Sequence, residues 1–251
     1  MTKPKTYQDP KFPQRAMVIV AHPDDIEFVV AGTVARWTQA GTEVVYVLVT
    51  SGDAGSHEPG MTREQLARTR ENEQRAAAQA VGVNEVVFLG YHDGEVEATL
   101  GLRRDLVRQI RRFKPDTLVC FDPTQLFISN DYINHPDHRA VGLAAIDAVA
   151  PAAAMPLSFA ELRDEGLEPH RVREVLVATS SNPDLWVDIT STINLKIEAL
   201  RRHTSQFTSD WDPADMLREW AAEDGKKAKV KYAESFKRIV LEREEVQEDG
   251  K

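Results

Sequence analysis

The chain has 251 residues, of which 42% are hydrophobic and 28% are charged, as in globular proteins with a sizeable core. Its formal net charge of -9 argues against a nucleic-acid partner, because neutralising phosphates needs a basic face. No apolar run approaches the ~18 residues of a membrane span, and residues 1–14 lack the apolar region of a secretory signal. These features predict a cytoplasmic enzyme with no membrane partner.

The first half of the chain alternates short β-branched runs with segments of helical pattern. Strands are predicted over residues 17–21, 43–50, 85–89 and 117–121. Helices are predicted over residues 28–40, 62–80, 102–113 and 135–149. Gly41 suits a helix end, and Thr62 and Gln65 have capping-box spacing. This alternation predicts βαβ units and a parallel sheet with both faces covered.

The second half begins with a looser stretch, rich in Ala and Pro, at residues 151–169. Two further strands are predicted over residues 174–178 and 185–189, followed by a helix over residues 192–203. The fold class is therefore α/β.

After Asp212 the charged sequence predicts amphipathic helices that end near Glu245. No repeat and no strong linker divides the chain. We therefore expect one domain, made of a catalytic part over residues 15–210, a helical C-terminal extension over 211–251 and an N-terminal arm over 1–14.

Polar side chains follow four successive predicted strands at the point where each strand ends. These segments are His22-Pro23-Asp24-Asp25, Thr50-Ser51-Gly52-Asp53, Tyr91-His92-Asp93-Gly94 and Asp122-Pro123. The carboxyl ends of parallel strands lie along one edge of the sheet, and ligands of open α/β sheets bind beyond that edge. The sequence therefore predicts the functional site at this edge.

Two clusters at this edge contain metal-ligand residue types. Residues 21–27 read Ala-His-Pro-Asp-Asp-Ile-Glu, and residues 135–138 read His-Pro-Asp-His. Asn134 is a plausible cap for a helix that has Pro136 in its first turn. The two histidines of the second cluster are three residues apart and share a helix face. Two imidazoles and a carboxylate suit Zn²⁺.

The number of candidate ligands indicates a catalytic metal. A structural zinc usually has four protein ligands that include Cys, whereas a catalytic zinc has three and leaves a position for water. The chain contains one Cys. A carboxylate beside the metal can accept a proton from that water, so one aspartate of the Asp24–Asp25 pair would bind the metal and the other would act as base. Such sites also accept Fe²⁺, Mn²⁺ or Co²⁺.

The two clusters, in this order and context, resemble the LmbE-like family of zinc-dependent de-N-acetylases, also called the PIG-L family. Supporting matches are Arg70-Glu71-Asn72-Glu73, Val81-Gly82-Val83, the segment from Leu89 to Gly94, and the segment from Ala199 to Gln206. The resemblance spans about residues 17–207. It implies a Rossmann-like three-layer sandwich with a mostly parallel sheet.

The resemblance also assigns roles to individual residues. It implies a metal site formed by His22, Asp25 and His138. Asp24 would be the general base. His135 would stabilise the oxyanion and protonate the leaving amine, with Asp137 as the residue that orients it.

Arg70 and Asp93 match positions that bind the sugar in relatives. The sequence departs from the family pattern in one place. Some relatives have a tyrosine two residues before the first histidine of the second cluster, whereas here that residue is Ile133 and Tyr132 precedes it. We therefore assign no role to a tyrosine.

The implied reaction is hydrolysis of an N-acetyl group on an N-acetylglucosamine-like sugar or glycoconjugate. Some members of the superfamily are hydratases of unsaturated dicarboxylates, and Arg70 and Arg139 could bind such a substrate. The acidic residues at the predicted edge, Asp53, Asp93 and Asp122, disfavour it. Oligomeric state is left open, although relatives often assemble and residues 211–245 offer surface for a homo-oligomer.

A third hypothesis is a nucleotide-binding or interaction module on the same sheet. It predicts a glycine-rich phosphate loop after the first strand. The chain has carboxylates there instead, and these would repel phosphate. The sequence therefore favours an enzyme.

Overall fold

The computed structural model describes residues 5–6, 12–207 and 211–241. Its strands are β1 (Lys5–Thr6), β2 (Arg15–Val20), β3 (Glu43–Thr50), β4 (Glu85–Tyr91), β5 (Thr117–Phe121), β6 (Glu174–Ala178), β7 (Leu185–Asp188) and β8 (Ala233–Val240). Its helices are α1 (Asp25–Val29), α2 (Ala31–Gln39), α3 (Arg63–Ala80), α4 (Leu100–Phe113), α5 (Pro136–Val149), α6 (Glu161–Asp164), α7 (Ile193–Leu200) and α8 (Ala214–Ala228). Among these described helices, none is both long and apolar enough to cross a membrane.

All eight strands form one sheet in the order β1-β7-β8-β6-β5-β2-β3-β4. Strand β8 runs antiparallel to β7 and β6, and the other neighbouring pairs are parallel. Successive residues of β2 point to opposite faces, so Val18 packs in one apolar cluster with α2 and α7. Ile19 packs in another cluster with α4 and α5. The predicted three-layer α/β fold with a mostly parallel sheet is confirmed.

The helix predicted over residues 28–40 differs in detail from the structure. It is two helices, α1 and α2, separated at Val30, whose φ of -144° leaves the helical region. Helix α1 begins at Asp25, so the first polar cluster lies at a strand-to-helix junction. The capping box of Thr62 and Gln65 is present at the start of α3.

The prediction of helices as far as Glu245 is correct for α8 and wrong for β8. The Lys and Glu residues after Gly225 suggested a solvated helix face or a subunit contact, but β8 enters the sheet between β6 and β7. Its Phe236 is fully buried, and burial of this ring favours the strand. Residues 242–251 of the predicted extension, and residues 1–4 and 7–11 of the predicted arm, lie outside the described residues.

The structure supplies a test of how α5 is placed against the sheet. A Cβ at Gly142 would lie 2.6 Å from the carbonyl oxygen of Phe121, at the end of β5. We expect Gly142→Ala to lower the free energy of unfolding by about 1–3 kcal/mol, because a backbone oxygen cannot move aside and overpacking is costly. Urea denaturation measures this change. Leu143→Ala, at an exposed position of the same helix, should change the free energy of unfolding by less than ~0.5 kcal/mol. Equal changes in the two variants would contradict this account of the contact between Gly142 and Phe121.

Candidate metal centre

Three potential ligands converge at the carboxyl ends of β2 and β5. His22 follows β2, Asp25 is the first residue of α1, and His138 lies in the first turn of α5. The Nδ1 atom of His22 is 3.3 Å from Nε2 of His138. One Asp25 carboxylate oxygen is 3.0 Å from Nε2 of His138, and the other is 3.5 Å from Nδ1 of His22.

These separations fit a single tetrahedral metal ion. Two donors that each lie about 2.0–2.2 Å from such an ion are themselves about 3.4 Å apart. The separations from Nε2 of His138, 3.0 Å to one Asp25 oxygen and 3.3 Å to Nδ1 of His22, are close to that value, and one donor atom from each of the three residues lies within 4.8 Å of the other two. Two nitrogens and a carboxylate oxygen can therefore meet one ion with little rearrangement.

The electrostatics of the cluster also favour a bound cation. Burial disfavours a charged His22, but hydrogen bonds to Asp137, Asp25 and Asp93 outweigh it and raise the pKa of His22 to about 12. Burial likewise opposes ionisation of Asp25, but the charge of His138 and its hydrogen bond lower the Asp25 pKa well below the usual range. The cluster therefore favours a positive charge, and a divalent ion can supply that charge in place of a proton.

A second group of potential ligands lies on the other side of the His22 ring. It consists of His22, Asp93, His135 and Asp137. Nε2 of His22 is 3.1 Å from an oxygen of Asp137 and 3.1 Å from one of Asp93. The same Asp137 oxygen accepts the N–H of Gly94 at 2.8 Å.

The donors of this second group are largely engaged by the protein. The other Asp137 oxygen accepts the N–H of Val96, and Asp93 accepts the N–H of Ala54. With Nε2–H of His22 donated to these carboxylates, its Nδ1 lone pair faces Asp25. The first group therefore has more donor capacity left for a metal ion.

Asn134 orients the ring of His138 and was not predicted to do so. Its Nδ2 donates to the carbonyl oxygen of Gln125 at 2.8 Å, so its Oδ1 must face the other way. That oxygen lies 3.2 Å from Nδ1 of His138 and can accept its proton, which leaves Nε2 with a lone pair for a metal. The ring of Phe121 stacks on the same imidazole, with centroids 4.4 Å apart.

The start of α5 differs from the prediction. The cap is His135, not Asn134, because Nδ1 of His135 accepts the N–H of Asp137 at 3.2 Å. The nearest Asp137 carboxylate oxygen is 4.0 Å from that nitrogen but 3.1 Å from Nε2 of His22. In the structure Asp137 therefore orients His22, while His135 is held by backbone and keeps its Nε2–H free.

Asp24 adopts a backbone conformation that is unusual for a residue other than glycine. Its φ is 87°, in the left-handed region that costs about 1–2 kcal/mol. Gln74 accepts its backbone N–H at 3.0 Å. Burial raises the pKa of Asp24 to about 6, although the guanidinium of Arg70 opposes that rise. Gln74, which accepts the Asp24 N–H, and Arg70, which contacts the Asp24 carboxylate, are four residues apart on one face of α3.

Arg70 is buried and contacts the protein at three points. Its guanidinium donates to the carbonyl oxygens of Pro23 at 2.7 Å and Gly52 at 3.2 Å, and to the Asp24 carboxylate at 3.2 Å. Gly52 permits this approach, since a Cβ there would lie 2.2 Å from the guanidinium. Sugar binding by Arg70 and Asp93 stays a prediction, and the structure adds a positioning contact between Arg70 and Asp24.

A buried chain of polar residues continues from Asp24 to α7. Gln74 donates to Glu27 at 3.0 Å, and Nε2 of His203 lies 3.2 Å from the other Glu27 oxygen. Burial disfavours a charged His203, but its hydrogen bond to Glu27 raises its pKa. The sequence alone did not assign a firm role to Glu27, because its partners Gln74 and His203 are distant in the sequence. The only local indication was that Glu27 is a carboxylate within the first cluster.

Comparison with known proteins shows the family to which the chain belongs. The family model described as GlcNAc-PI de-N-acetylase (PIG-L) matches residues 17–149. A diacetylchitobiose deacetylase of Thermococcus kodakarensis is 32% identical over 228 residues, covering 89% of this chain and 82% of the relative. A probable N-acetyl-alpha-D-glucosaminyl L-malate deacetylase of Bacillus anthracis is 29% identical, and the match covers 88% of this chain and 92% of that relative.

A solved structure of a deacetylase has the same fold. The N,N'-diacetylchitobiose deacetylase of Pyrococcus horikoshii superposes with a TM-score of 0.83 at 32% identity, covering 91% of this chain and 84% of that one. The α/β fold with this centre defines a class of deacetylases. The chain belongs to the PIG-L family of de-N-acetylases.

The contact between Asn134 and His138 can be tested directly. We expect Asn134→Ala to weaken divalent-metal binding roughly 10- to 100-fold, because losing the partner of a ligating histidine frees its tautomer and ring orientation. Chelator competition measures the affinity, and ¹⁵N NMR of His138 reports the tautomer. Asn84→Ala, at an exposed position, is the matched control. Unchanged affinity in Asn134→Ala would show that Asn134 does not position the ligand.

Proposed function

We propose that this protein is a metal-dependent amidohydrolase that removes the N-acetyl group from an N-acetylglucosamine-like sugar or glycoconjugate. The observation that carries the proposal is the meeting of His22, Asp25 and His138 beside the partly buried carboxylate of Asp24. The relatives described above support it, because they are named as deacetylases of N-acetylated sugars.

We propose zinc as the metal, held by His22, Asp25 and His138. Nitrogen and carboxylate ligands suit it, although Fe²⁺ and other divalent transition metals accept the same set. When bound, zinc would activate a water molecule and polarise the acetyl carbonyl. Three protein ligands leave a position open for this chemistry.

Asp24 is proposed as the general base. An effective base has a pKa near the operating pH, and burial moves the pKa of Asp24 to about 6. Its carboxylate takes a proton from the attacking water, and the protonated acid returns it to the sugar nitrogen as the amide C–N bond breaks. Acetate and the free amine leave. Arg70 and Gln74 hold the carboxylate and backbone in place.

His135 is proposed to stabilise the oxyanion. Its Nδ1 accepts the backbone N–H of Asp137, so the neutral ring carries its proton on Nε2. That N–H donates to the acetyl oxygen as negative charge develops there. His135 can therefore act as a neutral imidazole, and the proton that reaches the leaving amine comes from Asp24.

The arginines that a hydratase would need are already engaged. Arg70 contacts Pro23, Gly52 and Asp24, and Arg139 donates to the carbonyl oxygen of Asn134. A dianionic substrate would have to share or displace these contacts. The contacts therefore favour a neutral amide substrate.

The role of Asp24 is tested by Asp24→Asn. We expect this protein to keep its metal and to lose about 10²- to 10⁴-fold in turnover, because a carboxamide cannot accept the water proton. Elemental analysis measures the metal, and acetate release from N-acetylglucosamine derivatives measures the rate. Asp164→Asn, at an exposed position of α6, should keep both. Wild-type turnover in Asp24→Asn would remove Asp24 from the mechanism.

The metal requirement is tested by chelation. Treatment with a strong chelator should abolish acetate release, and Zn²⁺ should restore it, because the remaining residues cannot polarise the carbonyl alone. His22→Ala should not be restored by added metal, since it lacks one of three ligands. Full activity after verified removal of all metal would exclude the proposed chemistry.

A further inference from the structure

Three buried polar side chains connect the backbone of Asp24 with the segment that follows α7. Gln74 of α3 accepts the N–H of Asp24 at 3.0 Å and donates to one carboxylate oxygen of Glu27 at 3.0 Å. The other Glu27 oxygen lies 3.2 Å from Nε2 of His203. All three side chains belong to fully buried residues, so water cannot take the place of a lost partner. We call Gln74, Glu27 and His203 the polar chain.

The direction of the Gln74 amide decides whether the Asp24 N–H has a partner. A carboxamide has an oxygen on one side and an NH2 group on the other, and a half-turn of the amide exchanges the two. With the NH2 group toward Asp24, two donors would face each other. The backbone at Asp24, which has a φ of 87°, would then lose a hydrogen bond that offsets the cost of its left-handed conformation.

Glu27 fixes the direction of that amide, because a carboxylate only accepts hydrogen bonds. The NH2 group of Gln74 points to Glu27, so the amide oxygen must point to Asp24. His203 in turn holds Glu27 through the second carboxylate oxygen, and both of these side chains have 0% exposure. A buried carboxylate is costly without such a partner. The orientation of Gln74 therefore depends on the contact between Glu27 and His203.

The segment that carries His203 is attached to α3 beside Gln74. Glu73, the neighbour of Gln74, accepts the hydroxyl of Thr204 at 2.8 Å. It also accepts the N–H and the hydroxyl of Ser205, each at 2.7 Å. Two separate groups of contacts, Glu73 at the surface and the polar chain in the interior, thus hold His203 against α3.

We propose that Glu27 and His203 are positioning residues for the general base. They fix the amide of Gln74, and Gln74 fixes the backbone turn that directs the Asp24 carboxylate. The proposal rests on the proposed role of Asp24 in the reaction. It adds a requirement for a side chain that lies beyond residues 17–149, the part of the chain that matches the family model.

The first test compares His203→Met with His203→Gln in the metal-loaded protein. His203→Met removes the donor to Glu27 and should lower kcat for acetate release about 10- to 100-fold, as expected when a reacting group is misplaced by about 1 Å. KM and bound metal should not change. His203→Gln keeps an N–H donor and should restore most of the turnover. Lys196→Met is the matched control, because Lys196 forms another buried ion pair, with Glu234; it should lower stability and leave kcat per folded molecule unchanged.

An exchange of partners tests the direction of the amide even if His203→Met does not fold. Gln74→Glu places a second carboxylate against Glu27 and should reduce kcat by a similar factor. In the double variant Glu27→Gln/Gln74→Glu, an amide donor again faces a carboxylate, and that carboxylate can again accept the Asp24 N–H. The double variant should therefore recover most of the lost turnover. A double variant as slow as Gln74→Glu alone would overturn the proposal.

Hydrogen exchange of the Asp24 amide, followed by NMR, separates this proposal from the proposed reaction. Loss of the hydrogen bond to Gln74 should speed that exchange about tenfold or more in His203→Met and Gln74→Glu, but not in Lys196→Met. If the wild-type protein releases no acetate from N-acetylated sugars and these exchange rates still change as expected, only the proposed function fails. Unchanged exchange at Asp24 in folded His203→Met, or unchanged kcat when the wild-type protein is active, would overturn the positioning role.

Discussion

Three carboxylates surround the buried imidazole of His22, and this concentration of negative charge is the constraint on which the rest of the site depends. Asp25 lies toward one ring nitrogen, and Asp93 and Asp137 lie toward the other. Such a group is stable only with a compensating cation. The sheet brings these residues together because each follows a strand end or begins a helix at the same edge.

The protein satisfies one side of this ring and leaves the other open. Backbone N–H groups and His22 itself satisfy Asp137, so that side has little capacity left for a metal. On the other side, Asn134 directs Nε2 of His138 toward the point that Asp25 and His22 share. The left-handed turn at Asp24 places the proposed base beside the proposed ligand Asp25, and Arg70 and Gln74 stabilise that turn from α3.

The sequence predicted the parts of this arrangement that depend on local pattern. Strand ends, helix caps and the two clusters are short-range features, and they predicted that these side chains lie along one edge of the sheet, as they do. The roles of Asn134, Gln74 and His203 depend on contacts between distant segments, which one sequence does not reveal. Strand β8 was misassigned because its charged residues, Glu234, Lys237 and Arg238, also fit a solvated helix. Only its pairing with β6 and β7 decides between the two structures.

The central claim, that His22, Asp25 and His138 form the metal centre, is tested most directly by anomalous diffraction at the zinc edge from crystals of the zinc-loaded protein. We predict one strong peak about 2.0–2.2 Å from Nδ1 of His22, a carboxylate oxygen of Asp25 and Nε2 of His138. A peak between Nε2 of His22, Asp93 and Asp137, or no peak near His22, would contradict it.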